Sequence, residues 1–161
     1  MDPLELEFSV ACSAERAFEL WATETSLWWP PSHSVSGAAG LTVTFEPRPG
    51  GRIYERTPDG VEHDWGEVLV WEPPHRLAYL WHLRFDRRDA TEVEITFADE
   101  HGATTVNIVH RGWERLGAIG PDRRERNRRG WAGVIDHYQR ACAEPAGPSP
   151  RSPGEPLPRR R

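Results

Sequence analysis

The chain has 161 residues, of which 37% are hydrophobic and 28% are charged, and it contains two cysteines. This length and composition predict a single domain with a buried core and exclude a collagen, a coiled coil and a disulfide-stapled miniprotein. No apolar run approaches the roughly 20 residues that span a bilayer, and residues 1–5 lack the basic and apolar segments of a secretory signal. We therefore expect a cytoplasmic protein with no membrane span.

The net charge of −5 is distributed unevenly along the chain. Residues 145–161 carry four arginines and one glutamate, and this net charge of +3 leaves −8 for residues 1–144. An acidic body argues against a nucleic-acid partner, because such binding depends on neutralising phosphates. The last seventeen residues also hold six prolines. This composition predicts a disordered, Pro/Arg-rich tail (145–161) after one folded domain (1–144).

The first third of the chain predicts a strand followed by short helices. Leu4–Val10 alternates apolar and polar residues, which is typical of a half-buried strand. Ser13 is a suitable N-cap for a helix over Ala14–Ala22. A second short helix over Thr25–Trp29 is expected to end at the two prolines that follow it, and Ser32–Gly40 has the composition of a loop.

Six further strands are predicted between the loop and the last element. They cover Leu41–Phe45, Arg52–Arg56, Val61–Trp71, Arg76–Leu83, Glu92–Phe97 and Thr104–His110. The short connections favour an antiparallel meander over parallel units with crossover helices. Gly66, inside the third of these strands, suggests a bulge or a bend.

The last element is predicted to be a long amphipathic helix. Its apolar stripe consists of Trp131, Val134, Ile135, Tyr138 and Cys142. Pro121 and Asp122 suit its first turn. Gly130 and Gly133 each disfavour a helix by about 1 kcal/mol relative to alanine, so their presence suggests close approach of another backbone, or room for a bound molecule.

Together these elements predict an α+β protein with a helix-grip architecture. A curved antiparallel sheet of about six to seven strands would wrap around the long C-terminal helix, with one or two short helices after strand 1. The apolar face of such a sheet needs a cover, and the last helix is the only long amphipathic element available. We expect a cavity between sheet and helix, roofed by the short helices.

Several local features also occur in a recognisable order. They are Ala14–Trp21, Leu27–Pro30, Gly50–Arg52, Gly66–Val68, Trp71–Leu77, Gly112–Trp113 and Gly130–Trp131. Over residues 4–143 the chain resembles the helix-grip SRPBCC (START-like) superfamily and, within it, the family similar to the C-terminal domain of the activator of heat-shock protein 90 ATPase. The resemblance implies a hydrophobic ligand cavity. The eukaryotic co-chaperone has an additional N-terminal chaperone-binding domain, for which 161 residues leave no room.

Eight tryptophans and three tyrosines suggest that aromatic rings line this cavity. The alternative for each ring is ordinary core packing. Tyr79 and Trp81 share one face of their strand, and the helix would present its own rings to them. The predicted ligand-binding residues are Trp28, Trp29, Tyr54, Trp65, Tyr79, Trp81, Trp131 and Tyr138.

Candidates for acid–base catalysis are fewer and weaker. They are His63, Glu67, His82 and His110, and surface exposure or a neutral hydrogen-bonded histidine is the alternative for each. A bulge at Gly66 would turn Glu67 away from the face that carries His63. No metal-binding spacing, phosphate loop or nucleophile motif occurs, so we predict no metal and no cofactor.

A group of five arginines lies within residues 123–129, just before the apolar stripe of the last helix. One interpretation is a solvated helix end whose arginines pair with Asp122 and Glu125. The other is that the cluster guides an anionic ligand towards the cavity mouth.

Three functional hypotheses follow, in this order. The first is a cofactor-free protein that binds a small hydrophobic or aromatic molecule between sheet and helix. The second is a chaperone-related or stress-response interaction module without a ligand, which would show an exposed apolar patch and a filled interior. The third is an enzyme similar to polyketide cyclases and aromatases, which would need an ionisable residue in an open cavity. The expected partners are a small hydrophobic molecule or a chaperone-like protein, and the chain would be a monomer or a homodimer.

Overall fold

The computed structural model describes residues 1–145. Its main elements are β1 (Leu4–Val10), α1 (Ala14–Ala22), β2 (Thr42–Phe45), β3 (Arg52–Arg56), β4 (Glu62–Glu72), β5 (Arg76–Trp81), β6 (Thr91–Glu100), β7 (Ala103–Arg111) and α2 (Gly120–Ala143). Short 3-10 helices cover Thr25–Leu27, Pro31–His33, Arg87–Asp89 and Trp113–Ile119. Within the described residues, no helix is both long enough and apolar enough to cross a bilayer. The predicted disordered tail lies outside the described residues from position 146 onwards.

All seven strands belong to one antiparallel sheet with the order β1-β7-β6-β5-β4-β3-β2. From β2 to β7 the chain runs as a meander, in which each strand pairs with its successor. β1 is the other edge strand and pairs with β7, so that Leu4 lies opposite His110 and Val10 lies opposite Thr104. The predicted α+β helix-grip architecture is confirmed.

α2 covers the inner face of the sheet with the apolar stripe that its sequence predicts. Trp131, Val134, Tyr138 and Cys142 are buried. The Tyr138 hydroxyl donates a hydrogen bond of 2.6 Å to the carbonyl oxygen of Ala17 in α1. The ring of Tyr138 also packs edge-on against Phe8 of β1, with centroids 6.1 Å apart. One side chain therefore connects α2 with both α1 and the edge of the sheet.

A bulge in β4 decides which of its side chains face the interior. The register shift between β3 and β4 leaves Trp65 without a directly opposed residue. A Cβ on the next residue, Gly66, would lie 1.9 Å from the carbonyl oxygen of Leu80, so only glycine fits there. Trp65 is fully buried, whereas Glu67 lies on the outer side of the sheet and accepts a 2.8 Å hydrogen bond from Arg87.

Candidate ligand-binding site

Aromatic rings fill most of the space between the sheet and α2. The buried ring of Trp21 has its centroid 5.0 Å from that of Trp28, 6.0 Å from that of Trp131 and 4.8 Å from that of Tyr138. Such distances are those of packed aromatic pairs. The expected central hollow is therefore largely closed, because side chains from α1 and the segment after it extend into it.

An open pocket of about 310 Å³ remains at one end of this aromatic cluster, and we call it the tryptophan pocket. Its walls come from the 3-10 turn Pro31–His33, from the end of β5 with the loop after it, and from the middle of α2. The apolar lining residues are Trp29, Trp81, Leu83, Phe85, Trp131 and Val134. The other lining residues are Ser32, His33, Arg84, Arg126, Asn127 and Gly130.

Residues 31–36 form a strap over the pocket, and Glu55 holds one side of it. Glu55 projects inwards from β3 and is 0% exposed. Its carboxylate accepts hydrogen bonds from the backbone N–H groups of Val35 (2.5 Å) and Ser36 (3.2 Å). It also accepts from the Ser36 hydroxyl (2.6 Å) and from the indole N–H of Trp65 (2.8 Å). Burial alone would raise the pKa of Glu55, but these four hydrogen bonds hold it below its ordinary value.

Arg84 holds the other side of the strap. Its guanidinium donates to the carbonyl oxygens of Ser34 (2.8 Å) and Ser32 (3.2 Å). His33, between these two residues, has its carbonyl oxygen bound by the indole N–H of Trp29 at 3.2 Å. Burial lowers the pKa of His33, and the charge of Arg84 lowers it further. The imidazole of His33 is therefore neutral at pH 7 and lines the pocket in a form that can accept a proton.

Gly130 and Gly133, in the middle of α2, have different surroundings, although the sequence suggested close backbone approach or room for a bound molecule at both. A Cβ built on Gly133 would lie 3.6 Å from the ring of His33, which is an ordinary van der Waals contact, so the strap does not require glycine at this position. A Cβ built on Gly130 would have no neighbour within 4 Å, although Gly130 lines the pocket. Gly130 therefore leaves open space on the inner wall.

His110 lies behind the pocket in a closed chain of hydrogen bonds and is 0% exposed. Its Nδ1 lies 3.0 Å from the indole nitrogen of Trp131, which can only donate, so Nδ1 accepts. Its Nε2 therefore carries the proton and donates to the Thr91 hydroxyl at 2.6 Å, which in turn donates to the carbonyl oxygen of Trp81 at 3.4 Å. Burial, with a smaller contribution from the charge of Arg123, lowers the pKa of His110 to about 3.

The structure distributes the eight predicted ligand-binding residues over several environments. Trp29, Trp81 and Trp131 line the tryptophan pocket, and their role in binding stays a prediction. Trp28 borders a second groove, of about 480 Å³, on the α1 side of α2. Three others are buried in the aromatic cluster: Trp65, Tyr79 and Tyr138.

Tyr54 lies on the opposite side of the sheet, which corrects the expectation that it faces the helix. In β3 the buried side chains are those of Ile53 and Glu55. The alternation of the strand therefore places Tyr54 outside, where the guanidinium of Arg52 stacks on its ring at 4.2 Å from the centroid.

None of the four predicted acid–base candidates lines the tryptophan pocket. Glu67 and His82 border a shallow depression of about 100 Å³ near Arg87, because the β4 bulge turns Glu67 outwards. His63 is half-buried at the start of β4, opposite Glu55. His110 is enclosed, with both ring nitrogens engaged.

Sequence reasoning missed several polar residues of the site. Glu55 could have been found, because strict alternation with Ile53 places both side chains on the inner face. Arg126 was included in the arginine cluster named from the sequence, and it lies four residues before Gly130 on the same helix face. His33 and Arg84 come from irregular segments that no periodicity places.

Metal-binding clusters of three or more His, Cys, Asp or Glu side chains do not occur within residues 1–145. Both cysteines, Cys12 and Cys142, are free thiols.

The antiparallel sheet, the long C-terminal helix and the short helices after β1 define a helix-grip protein of the SRPBCC superfamily. Residues 11–140 match the family described as activator of Hsp90 ATPase homolog 1-like protein, and the chain belongs to this family. No curated protein matches the chain.

Solved structures similar to this chain come from proteins with different roles. One is the anthrahydroquino-γ-pyrone synthase Txn09, with 36% identity over 76% of this chain and 84% of that chain and a TM-score of 0.54. A second is CalC, a self-sacrificing resistance protein from Micromonospora echinospora, with 24% identity, 88% and 94% coverage and a TM-score of 0.68. A third is the Aha1 dimer from Colwellia psychrerythraea, with 15% identity, 88% and 96% coverage and a TM-score of 0.61.

Proposed function

We propose that this protein binds a small, flat aromatic molecule in the tryptophan pocket. The observation that carries the proposal is the open inner wall at Gly130, where a side chain would fit but none is present. The pocket volume of about 310 Å³ lies at the lower end of the range of small-molecule sites. A compact ligand of two or three fused rings suits such a space better than a long lipid.

The walls of the pocket indicate the chemistry of this ligand. The indole N–H groups of Trp29 and Trp131 already donate to His33 and His110. These two tryptophans therefore offer ring surface rather than hydrogen bonds. Burying apolar ligand area against such surfaces contributes about 25 cal/mol per Å², and stacking between aromatic rings adds to it.

Replacing Gly130 by leucine tests the pocket directly. The new side chain would occupy the open wall, so we expect the affinity for the fluorogenic dye N-phenyl-1-naphthylamine to fall about tenfold or more, because the binding surface is lost. Leucine is a better helix former than glycine by about 1 kcal/mol, so the variant should be at least as stable as the wild type. Dye fluorescence titration gives the affinity, and urea unfolding gives the stability.

The matched control is Ala132→Leu, which puts the same side chain on the exposed face of α2. It should bind the dye as the wild type does. Unchanged affinity in Gly130→Leu, or an equal loss in Ala132→Leu, would show that the dye does not occupy this pocket.

A second candidate function, ring-forming catalysis, is favoured by the similarity to a synthase at 36% identity. In this chain the proton acceptor would be His33, which is neutral and lines the pocket. Conversion of anthrahydroquinones that carry an uncyclised side chain should then be lost in His33→Gln while their binding persists. Equal conversion rates in the variant and the wild type would exclude this role.

A protein-binding function, a monomeric or homodimeric state and a cytoplasmic location remain predictions from the sequence. Among residues 1–145, the exposed large apolar side chains lie on separate segments of the chain: Met1, Leu27, Val61, Leu69, Phe85 and Ile119.

A further inference from the structure

The five arginines at the start of α2 divide between two surroundings. Arg128 and Arg129 lie 2.5 and 3.6 Å from the carboxylate of Glu125. Arg124 donates to the carbonyl oxygen of Asp2 at 2.8 Å. Arg128 and Arg129 thus fit the predicted pairing with Glu125, whereas Arg124 is held by the N-terminal segment and no ion pair to Asp122 occurs among residues 1–145. The remaining two arginines lie on the side of the tryptophan pocket.

The pocket-side arginines are Arg123 and Arg126, and Arg84 joins them from the β5–β6 loop. Arg126 and Arg84 both line the pocket, Arg126 from α2 and Arg84 from the loop after β5. Arg123 is 6% exposed, stacks on the ring of the lining residue Phe85 at 3.1 Å from its centroid, and has no hydrogen-bond partner for its Nη1. Within residues 1–145, none of these three guanidinium groups lies within 4.0 Å of a carboxylate.

The charges around the pocket are therefore unbalanced. None of its twelve lining residues is acidic. Burial lowers the pKa of Arg123; the nearby carboxylate of Asp89 raises it, and the charge of Arg126 lowers it. Two cations repel each other here, and an anion bound between the pocket walls would relieve that repulsion.

We propose that the tryptophan pocket selects an aromatic ligand with one anionic group, a carboxylate or an ionised phenol, which Arg126 and Arg84 recognise. This inference rests on the proposed function, since the ring system of the ligand would lie between the tryptophans. The anionic group would lie at the rim, where Arg126 is exposed. Arg84 is held in place by its hydrogen bonds to the strap carbonyls, and these neutral partners do not compensate its positive charge.

A displacement experiment with two ligands of the same shape tests this selection. The protein is loaded with the neutral dye N-phenyl-1-naphthylamine, which is then displaced by 2-naphthoate or by its uncharged counterpart 2-naphthamide. We expect naphthoate to displace the dye at lower concentration than naphthamide. The variant Arg126→Gln should lower the affinity for naphthoate about fivefold, as expected for the loss of an exposed ion pair. Its affinity for naphthamide should equal that of the wild type.

The control variant is Arg128→Gln, which removes the same charge from the side of α2 that pairs with Glu125. It should leave both affinities unchanged. High ionic strength should reduce the preference of the wild type for naphthoate, because salt screens exposed charges.

Each other outcome has a definite meaning. Failure of the dye to bind at all would overturn the proposed function itself. Dye binding with equal displacement by naphthoate and naphthamide would overturn only the charge selection. Equal losses in Arg126→Gln and Arg128→Gln would show a general effect of net charge, and a preference unaltered in Arg126→Gln would remove that residue from recognition.

Discussion

Replacing His110 by asparagine is expected to abolish a large part of the acid sensitivity of this protein. The folded state holds His110 neutral with a pKa of about 3, whereas the unfolded chain takes up a proton near pH 6.5. Between these values the unfolded state binds more protons, so the free energy of unfolding falls as the pH falls. The loss is about 1.4 kcal/mol per pH unit below about pH 6.5, and so about 2 kcal/mol at about pH 5.

The test is urea unfolding of the wild type and of His110→Asn between about pH 7.5 and pH 5. Asparagine keeps an acceptor for Trp131 but loses the bond to Thr91 and part of the ring volume, which should cost about 2–4 kcal/mol at about pH 7.5. Over this pH range, the free energy of unfolding of His110→Asn should fall by about 2 kcal/mol less than that of the wild type. His101→Asn is the control, because His101 is exposed in a turn at φ 50°, a conformation that asparagine tolerates. If the pH dependence of the free energy of unfolding survives in His110→Asn but disappears in His101→Asn, the acid sensitivity does not come from His110.

Removing the carboxylate of Glu55 should be the second large effect. Glu55→Ala leaves four hydrogen-bond donors without their acceptor in a site that is 0% exposed. A buried donor that loses its partner costs about 1–3 kcal/mol. We expect a total loss of about 3–5 kcal/mol, less than the sum of the four, because the released strap can reach water. Ligand affinity should fall as well, since the strap carries Ser32 and His33 into the pocket wall.

Comparison with an exposed glutamate separates this role from a general loss of charge. Glu62→Ala lies on the neighbouring strand β4 and removes only a surface ion pair of 3.5 Å with Arg52, so its cost should stay below about 1 kcal/mol. The pH dependence gives a second readout. Because the folded-state pKa of Glu55 is lowered, its contribution is present above about pH 4.5 and is lost as the pH falls below that value. Equal stability losses in the two variants would contradict the bridging role.

Most of the fold could be predicted from the sequence, because local patterns determined each element. The bounds of β1 and α1, at Leu4–Val10 and Ala14–Ala22, agree with the predicted strand and helix. The period of two in the strands and the stripe on α2 are properties of neighbouring residues. They required no knowledge of distant contacts, and the short turns left an antiparallel sheet as the simplest arrangement.

The candidate site could be predicted only in part, for two physical reasons. The choice between lining a pocket and filling the core depends on volume, so the sequence could not separate Trp81, which lines the pocket, from Tyr79, which is buried. The charged groups come from loops and from one helix face, and their meeting depends on the tertiary fold. Tyr54 was misplaced for a simpler reason: its neighbour Ile53, and not the aromatic ring, sets the inner face of β3.

The hydrogen-bond chain from Trp131 through His110 and Thr91 to Trp81 connects the α2 wall of the pocket with the β5 wall. These bonds are made within the protein itself, so the ligand binding proposed above would cost little conformational entropy of the walls. For the proposed binding, such a pocket would favour rigid planar ligands over flexible ones, because a flexible ligand loses conformational entropy of its own when it binds.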